Sequence, residues 1–158
     1  MEHGNWFLAL VVEPEAGLSQ LCEGLPSELR RLAPVDLHLT VAFLGRCGSQ
    51  RAAAAWQAIS QLRHGPIVAR SSHWRAMGSP ACPSAWALTL AEGASLTAAL
   101  IEHWREPALA AAGLPSDRRS ALPHITLVRP PRRLEPAARA AISARLSAEP
   151  CPCLLYTS

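Results

Sequence analysis

Two short stretches of the chain carry the same pattern of histidine, any residue and threonine. His38 stands two residues before Thr40, and His124 stands two residues before Thr126. Apolar residues alternate with these side chains, as in a strand that has one packed face and one polar face. The histidine and threonine of each pair therefore share a strand face, and we predict that both pairs belong to one site.

Two histidines on neighbouring strands have the chemistry that displacement at phosphorus needs. The attacking and leaving oxygens lie on opposite sides of the phosphorus, so one group must accept a proton and another must donate one. Imidazole titrates near about pH 6.5, which lets one histidine be neutral while the other is protonated. Thr40 and Thr126 would place hydroxyl donors beside the histidines, where they can bind non-bridging oxygens and stabilise charge.

The elements that would position these pairs occur twice in the same order. An apolar strand opens each round, and the tryptophans that begin the two strands, Trp6 and Trp86, are 80 residues apart. A helical pattern and then a strand with a histidine follow in each round, and the two histidines are 86 residues apart. This period is far longer than that of solenoid repeats, so we predict duplication and a pseudo-twofold α+β fold.

Hydrophobic periodicity and breaker residues predict the other elements. They are a leucine-rich helix over 18–32 that is interrupted near Pro26, a strand at 35–44, a helix capped by Ser49, an ambiguous extended stretch at 67–77, a helix from near Ser95 that breaks or kinks at Pro107 and ends at Gly113, a helix over 136–146 and a strand at 151–156.

Length and composition limit the class of protein. The 158 residues suffice for one domain with a real core, and 49% of them are hydrophobic. The net charge of +3 is compatible with an anionic ligand but is low for a protein that coats DNA without specificity. The chain has no lysine, so all 15 of its Lys and Arg residues are arginines. Seven of them crowd the last third of the chain: Arg118, Arg119, Arg129, Arg132, Arg133, Arg139 and Arg145.

The cysteines and the apolar segments predict a cytoplasmic protein. The five cysteines are odd in number and have no Cys-x-x-Cys spacing, which favours reduced thiols over a disulfide framework. The first apolar run lacks the basic flank of an export signal. No apolar run approaches the roughly 20 residues of a spanning helix, so we expect no membrane segment.

The two motifs resemble those of a known superfamily. His-Leu-Thr-Val-Ala-Phe-Leu-Gly at 38–45 and Pro-His-Ile-Thr-Leu-Val-Arg at 123–129 are similar to the paired motifs of the two-histidine (2H) phosphoesterases. They are most similar to the RNA 2',3'-cyclic phosphodiesterases, historically called 2'-5' RNA ligases, and the resemblance spans residues 5 to about 157. It implies a single bilobal domain over 1–158, with two antiparallel sheets lining a central cleft and helices outside.

The same resemblance implies an activity and a role for each site residue. The reaction would be opening of a 2',3'-cyclic phosphate to a 2'-phosphomonoester, with no metal or other cofactor, on RNA ends or cyclic nucleotides. His38 would be the general acid that protonates the leaving 3' oxygen, and His124 the general base that activates water. Thr40, Thr126 and Arg129 would bind the substrate. We expect a monomer.

Arg129 meets its proposed role only if the second strand is irregular. It lies five residues after His124, so a regular strand would turn it toward the apolar face, and a bulge or twist before Pro130 is required. Relatives tend to carry an aromatic and a basic residue where this chain has Ala121 and Leu122. Stacking on a nucleobase would then need another aromatic residue, and Trp74 is one candidate.

Three other interpretations use the same residues. RNA 2'-5' ligation is the same in-line chemistry with a ribose hydroxyl in place of water. A non-catalytic module that binds RNA or nucleotides would fit the departures at 121–122. A zinc site built on His38 and His124 would need further ligands, which neither clustered carboxylates nor a Cys-x-x-Cys motif supplies.

Overall fold

A computed structural model describes residues 4–14, 18–148 and 154–157. The described residues form an α+β fold, which confirms the predicted class. Its elements are β1 (Trp6–Pro14), β2 (Arg30–Arg31), β3 (His38–Gly45), α1 (Ser49–Ile59), β4 (Ile67–Ser79), β5 (Cys82–Leu90), α2 (Ala94–Ala111), β6 (His124–Arg129), α3 (Pro136–Ser147) and β7 (Leu154–Thr157). The predicted strand at 151–156 is thus described from Leu154 onward, and residues 151–153 lie outside the described ranges.

Antiparallel pairings join the strands into one sheet in the order β2-β6-β3-β1-β7-β4-β5. Strand β6 also pairs with β5, so it is bordered by β5 on one side and by β3 and β2 on the other. The strand that carries the second histidine is therefore central, and it lies directly beside the strand that carries the first. No helix in the described ranges is long and apolar enough to cross a bilayer.

The leucine-rich segment after β1 is not the predicted α-helix. It forms a short 3-10 helix at Leu18–Cys22, turns at Gly24 with a φ of 71°, and returns as the two-residue strand β2. Leu25 and Leu29 are nevertheless buried. Their spacing reflects the anchoring of a loop on the core, which a leucine count cannot distinguish from one face of a helix.

Helix α2 is continuous over Ala94–Ala111 with Pro107 inside it, so the helix does not break at the proline. Pro107 and His103, whose carbonyl loses its helical partner, both lie on the exposed face of the helix. Water can satisfy that carbonyl there, so the proline is tolerated. Helix α1 begins at Ser49 and is preceded by Gly48 at the N-cap, so Ser49 is not the predicted cap.

The two repeated units do not align in the way that pairing Trp6 with Trp86 predicts. Ala9 lies opposite Thr40, and Ala87 lies opposite Thr126, so the equivalent positions of β1 and β5 are 78 residues apart. Trp86 therefore corresponds to Leu8 and not to Trp6. A shift of two residues keeps the inward and outward alternation, which explains why the incorrect alignment still gave the correct faces.

Arg139 of α3 has a structural role. The other six arginines in the last third of the chain are exposed, whereas Arg139 is buried. Its side chain is 7% exposed and donates hydrogen bonds to the carbonyls of Pro83, Pro131, Leu134 and Arg132 at 2.5 to 3.4 Å. These carbonyls belong to β5 and to the turn that leads from β6 into α3. The guanidinium therefore fastens the helix to the end of the strand that carries the second histidine.

Replacing this guanidinium should destabilise the fold. We expect Arg139→Met to lower the free energy of unfolding by about 2–4 kcal/mol, because several buried carbonyls lose their donor. The control is Arg145→Met, since Arg145 is exposed and donates to the carbonyl of Gly24 alone among the described residues. Urea unfolding of both variants is the measurement, and equal losses would contradict the structural role of Arg139.

Candidate active site

The two motifs meet at a single pair of residues. Leu39 of β3 lies opposite Ile125 of β6, and in the described part of the chain this is the sole residue pair matched in the backbone ladder between the two strands. Both side chains are in the core, at 1% and 0% exposure. Because each lies between the histidine and the threonine of its motif, a local twofold axis passes between them. The four polar side chains then project from the opposite face, which we call the histidine face.

Both imidazoles are held in the same way by the backbone two residues earlier. Nδ1 of His38 lies 2.7 Å from the carbonyl oxygen of Asp36, and Nδ1 of His124 lies 2.7 Å from that of Leu122. A carbonyl oxygen only accepts, so Nδ1 carries a hydrogen in each ring and donates it. Nε2 is therefore the nitrogen that can accept or donate a proton in each half of the site.

The surroundings of the two histidines differ on the side of β1. The ring of Phe7 stacks on that of His38, with 4.7 Å between centroids and 22° between planes.

The two threonines have similar surroundings, because a small side chain, Ala9 or Ala87, lies opposite each of them. Neither threonine hydroxyl has a hydrogen-bond partner among the described residues. Both hydroxyls are thus available to a ligand.

Each histidine strand contains a β-bulge one residue after the threonine. The pairing steps from Ala9 opposite Thr40 to Leu8 opposite Ala42, which leaves Val41 as the extra residue of β3. Strand β6 has the same shift, since the partner of Ala87 is Thr126 and that of Trp86 is Val128. Two successive residues consequently face the core in each strand. They are Val41 and Ala42 in β3, and Leu127 and Val128 in β6.

The bulges reverse the alternation of the residues that follow. Regular alternation from Leu39 predicts that Phe43 faces the core, but its side chain is 62% exposed, whereas Ala42 is buried. Arg129, at the equivalent position of β6, is likewise exposed, on the face to which His124 and Thr126 project. The irregularity that Arg129 requires is therefore present. Sequence alternation missed Phe43 because a bulge leaves no mark in a single strand's polarity pattern.

A cavity of about 250 Å³ opens beside the second histidine. Thr40, Phe43, His124 and Leu122 line it, together with part of α2 and the loop before β6. Phe43 also lines a neighbouring cavity of about 440 Å³, so its ring is accessible from both. Trp74, in contrast, is 5% exposed and belongs to the core, so the prediction that it could stack on a base is wrong.

Helix α2 holds the loop that leads into His124. The carboxylate of Glu106 accepts hydrogen bonds from the hydroxyl of Ser116 and the backbone N–H of Asp117, and Glu102 accepts one from the N–H of Ala121. Arg105, between these two helix residues, donates to the carbonyl of Arg119. These contacts fix the chain just ahead of Leu122, whose carbonyl orients the second histidine.

Asp117 and Arg119 form an ion pair in this loop, and Arg105 of α2 lies near it. Arg119 donates to both carboxylate oxygens of Asp117, at 2.8 and 2.7 Å, and Nη1 of Arg105 lies 3.9 Å from the same carboxylate. The hydrogen bonds from Arg119 hold the pKa of Asp117 well below its usual range. Arg119 is exposed but paired with Asp117, and Arg118, Arg132 and Arg133 are also exposed at the surface.

The described ranges contain no group of three His, Cys, Asp or Glu side chains placed to hold a metal ion. The ring of His38 contacts the carbonyl of Asp36 and the ring of Phe7, and the ring of His124 contacts the carbonyl of Leu122. The cysteines with described surroundings are unpaired: Cys22 is buried, Cys47 half-buried and Cys82 exposed. Burial raises the pKa of the Cys22 thiol, and the charge of Arg31 opposes this effect.

Asp117 should make stability depend on pH in the acid range. Its folded pKa lies below the unfolded value of about 3.9, so its contribution is present above about pH 4 and is lost as the pH falls through the folded pKa. We expect Asp117→Asn to be less stable than the parent protein at pH 6, with the difference narrowing toward pH 2. Denaturant unfolding across this range is the measurement, with the exposed Glu28→Gln as control.

Comparison with known proteins gives a structural likeness only. No family model matches the chain, and no curated protein matches it either. A solved structure from Thermus thermophilus, that of TT0787, has a TM-score of 0.54 at 25% identity, over 84% of this chain and 79% of that one. Another, described as a phosphoesterase, has a TM-score of 0.55 at 21% identity, over 98% and 88%. The α+β fold is therefore one that a solved phosphoesterase shares.

Proposed function

We propose that this protein is a metal-independent phosphodiesterase that opens 2',3'-cyclic phosphate ends of RNA or nucleotides to 2'-phosphomonoesters. The observation that carries the proposal is the twofold pair of histidines, each with Nδ1 bound to a carbonyl and Nε2 available. The likeness to a solved phosphoesterase supports phosphoester chemistry in general. The paired motifs, which resemble those of the 2H phosphoesterases, support the cyclic substrate.

The two imidazoles would divide the proton transfers. Nε2 of the neutral His124 ring accepts a proton from water while the water oxygen attacks phosphorus, in line with the leaving 3' oxygen. The bond from phosphorus to the 3' oxygen breaks, and protonated His38 gives its Nε2 proton to that oxygen. The product carries a phosphate on the 2' oxygen, and the two histidines exchange their protonation states. Solvent exchange then restores the starting forms.

The two threonines would stabilise the charge that develops on phosphorus, and Arg129 would bind a phosphate of the substrate. Thr40 and Thr126 offer hydroxyl donors on the same face as the histidines, and the exposed guanidinium of Arg129 is a charged, forked donor. The ring of Phe7 holds the plane of His38 and thereby directs its Nε2. None of these groups needs to form a covalent bond with the substrate, because positioning and charge stabilisation suffice in phosphoryl transfer.

Removing either histidine should abolish most of the activity without unfolding the protein. We expect His38→Ala and His124→Ala each to lower kcat on a 2',3'-cyclic nucleotide by about 10²–10⁴-fold in the presence of EDTA. His103→Ala is the matched control, since His103 lies on the exposed face of α2. Loss of parent activity in EDTA, full activity of both variants, or binding without turnover would contradict the proposal.

Phe43 should contribute to binding of the nucleobase. Its exposed ring lies at the cavity beside Thr40 and His124, where a base attached to the bound ribose could stack. We expect Phe43→Ala to raise KM for a cyclic nucleotide at least about fivefold, since stacking contributes about 1 kcal/mol or more, with little change in kcat. The exposed Leu96→Ala is the control, and an unchanged KM would exclude Phe43 from base binding.

A further inference from the structure

A second arginine lies beside Arg129. Arg30 of β2 is its direct partner in the antiparallel register, and Arg31 is the partner of Val128. Partners of this kind project from the same face of a sheet. Because Val128 faces the core, Arg129 and Arg30 face the other way, toward the side that carries the histidines. Both arginines are exposed.

Strands β2 and β3 pair with the same side of β6, one after the other along its length. The partner of Ile125 is Leu39, and a few residues further along β6 the partners are Arg31 and Arg30. Moving along β6 from Thr126 to Arg129, the neighbouring side chain on the paired strands changes from His38 of β3 to Arg30 of β2. The arginine pair thus forms the next row of the histidine face, about 7 Å along the strands from the row of His38 and Thr126.

No stabilising contact in the described part of the chain accounts for this pair. Like charges directly opposite each other in a ladder are unfavourable. Neither guanidinium has a hydrogen bond or ion pair within the described ranges, whereas the adjacent Arg31 donates to the carbonyls of Cys22 and Leu25. An anion between Arg30 and Arg129 would turn the repulsion into binding, and a phosphodiester offers two oxygens for two forked donors.

The other end of the histidine face offers apolar surface. Beyond Thr40 and His124 lie the exposed side chains of Phe43 and Leu122, which suit a nucleobase. Arg105 and Arg119 also line this cavity, but both lie beside the carboxylate of Asp117, which offsets their charge. A bound nucleotide would then have its base at the aromatic end, its cyclic phosphate between the histidines, and its 5' side toward the arginines. This polarity gives the arginine pair a phosphate to bind only if the nucleotide is the last one of a chain.

We propose that Arg30, together with Arg129, binds the phosphodiester on the 5' side of the terminal nucleotide, so that the substrate is an RNA end and not a free cyclic mononucleotide. This inference rests on the proposed function, and it extends that function by naming the substrate class. Arg30 acts in binding and does not touch the reacting phosphorus. Its removal should therefore affect substrates that carry the additional phosphodiester and spare those that lack it.

The test compares a 2',3'-cyclic mononucleotide with a dinucleotide that ends in the same cyclic nucleotide. We expect the parent protein to prefer the dinucleotide in kcat/KM, and Arg30→Gln to lower the value for the dinucleotide by about three- to tenfold while leaving the mononucleotide unchanged. The dependence of log kcat/KM on log salt should become shallower by about 0.7 for the dinucleotide alone. Arg30→Lys, which keeps the charge, should restore part of the preference.

The control is Arg63→Gln, which removes the same charge at an exposed position in the segment between α1 and β4. Thermal unfolding of each variant shows that the fold is retained. If the parent protein shows no preference, or if Arg30→Gln lowers both substrates equally, the inference is wrong while the proposed function stands. If the parent protein hydrolyses neither substrate, both are overturned.

Discussion

The contact between Leu39 and Ile125 is the constraint on which the site depends. Among the described residues it is the one pair matched in the backbone ladder between the two histidine strands, and both side chains are almost completely buried. Burial of these residues forces the flanking histidines and threonines onto the other face, since side chains alternate along a strand. Two motifs 86 residues apart in sequence thereby become halves of one arrangement. The hydrophobic core thus sets the geometry of the polar groups.

The repeated bulge extends this arrangement beyond the motifs. An extra residue after each threonine places two neighbours in the core and returns the next side chain to the histidine face. The same backbone device delivers a phenyl ring, Phe43, in one strand and a guanidinium, Arg129, in the other. A site that is twofold in its backbone is therefore asymmetric in its chemistry, as the proposed substrate, with a base at one end and phosphates at the other, requires.

The number of arginines in a segment of the sequence does not indicate which of them could bind a ligand. Arg139 is buried among carbonyls, Arg145 donates to the carbonyl of Gly24, and Arg119 is bound to Asp117. Three members of the arginine-rich last third are thus bound to other groups of the protein, and only Arg139 among them is buried, although clustering along the sequence gave all three the same weight as Arg129. Arg30, from a different part of the chain, received no weight at all. Its position beside Arg129 results from strand pairing, which clustering along the sequence does not reveal.

The sequence by itself determined the two histidine strands, the shared face of each histidine and threonine, and the α+β class. These features depend on residues that are neighbours along the chain, so their alternation is visible in the sequence. The tertiary structure alone decided the exposure of Phe43 and Arg129, the burial of Trp74, the continuity of α2 through Pro107 and the pairing of Arg30 with Arg129. Each of these depends on which strand, core or solvent lies against the residue, and that information arises only when distant segments pack.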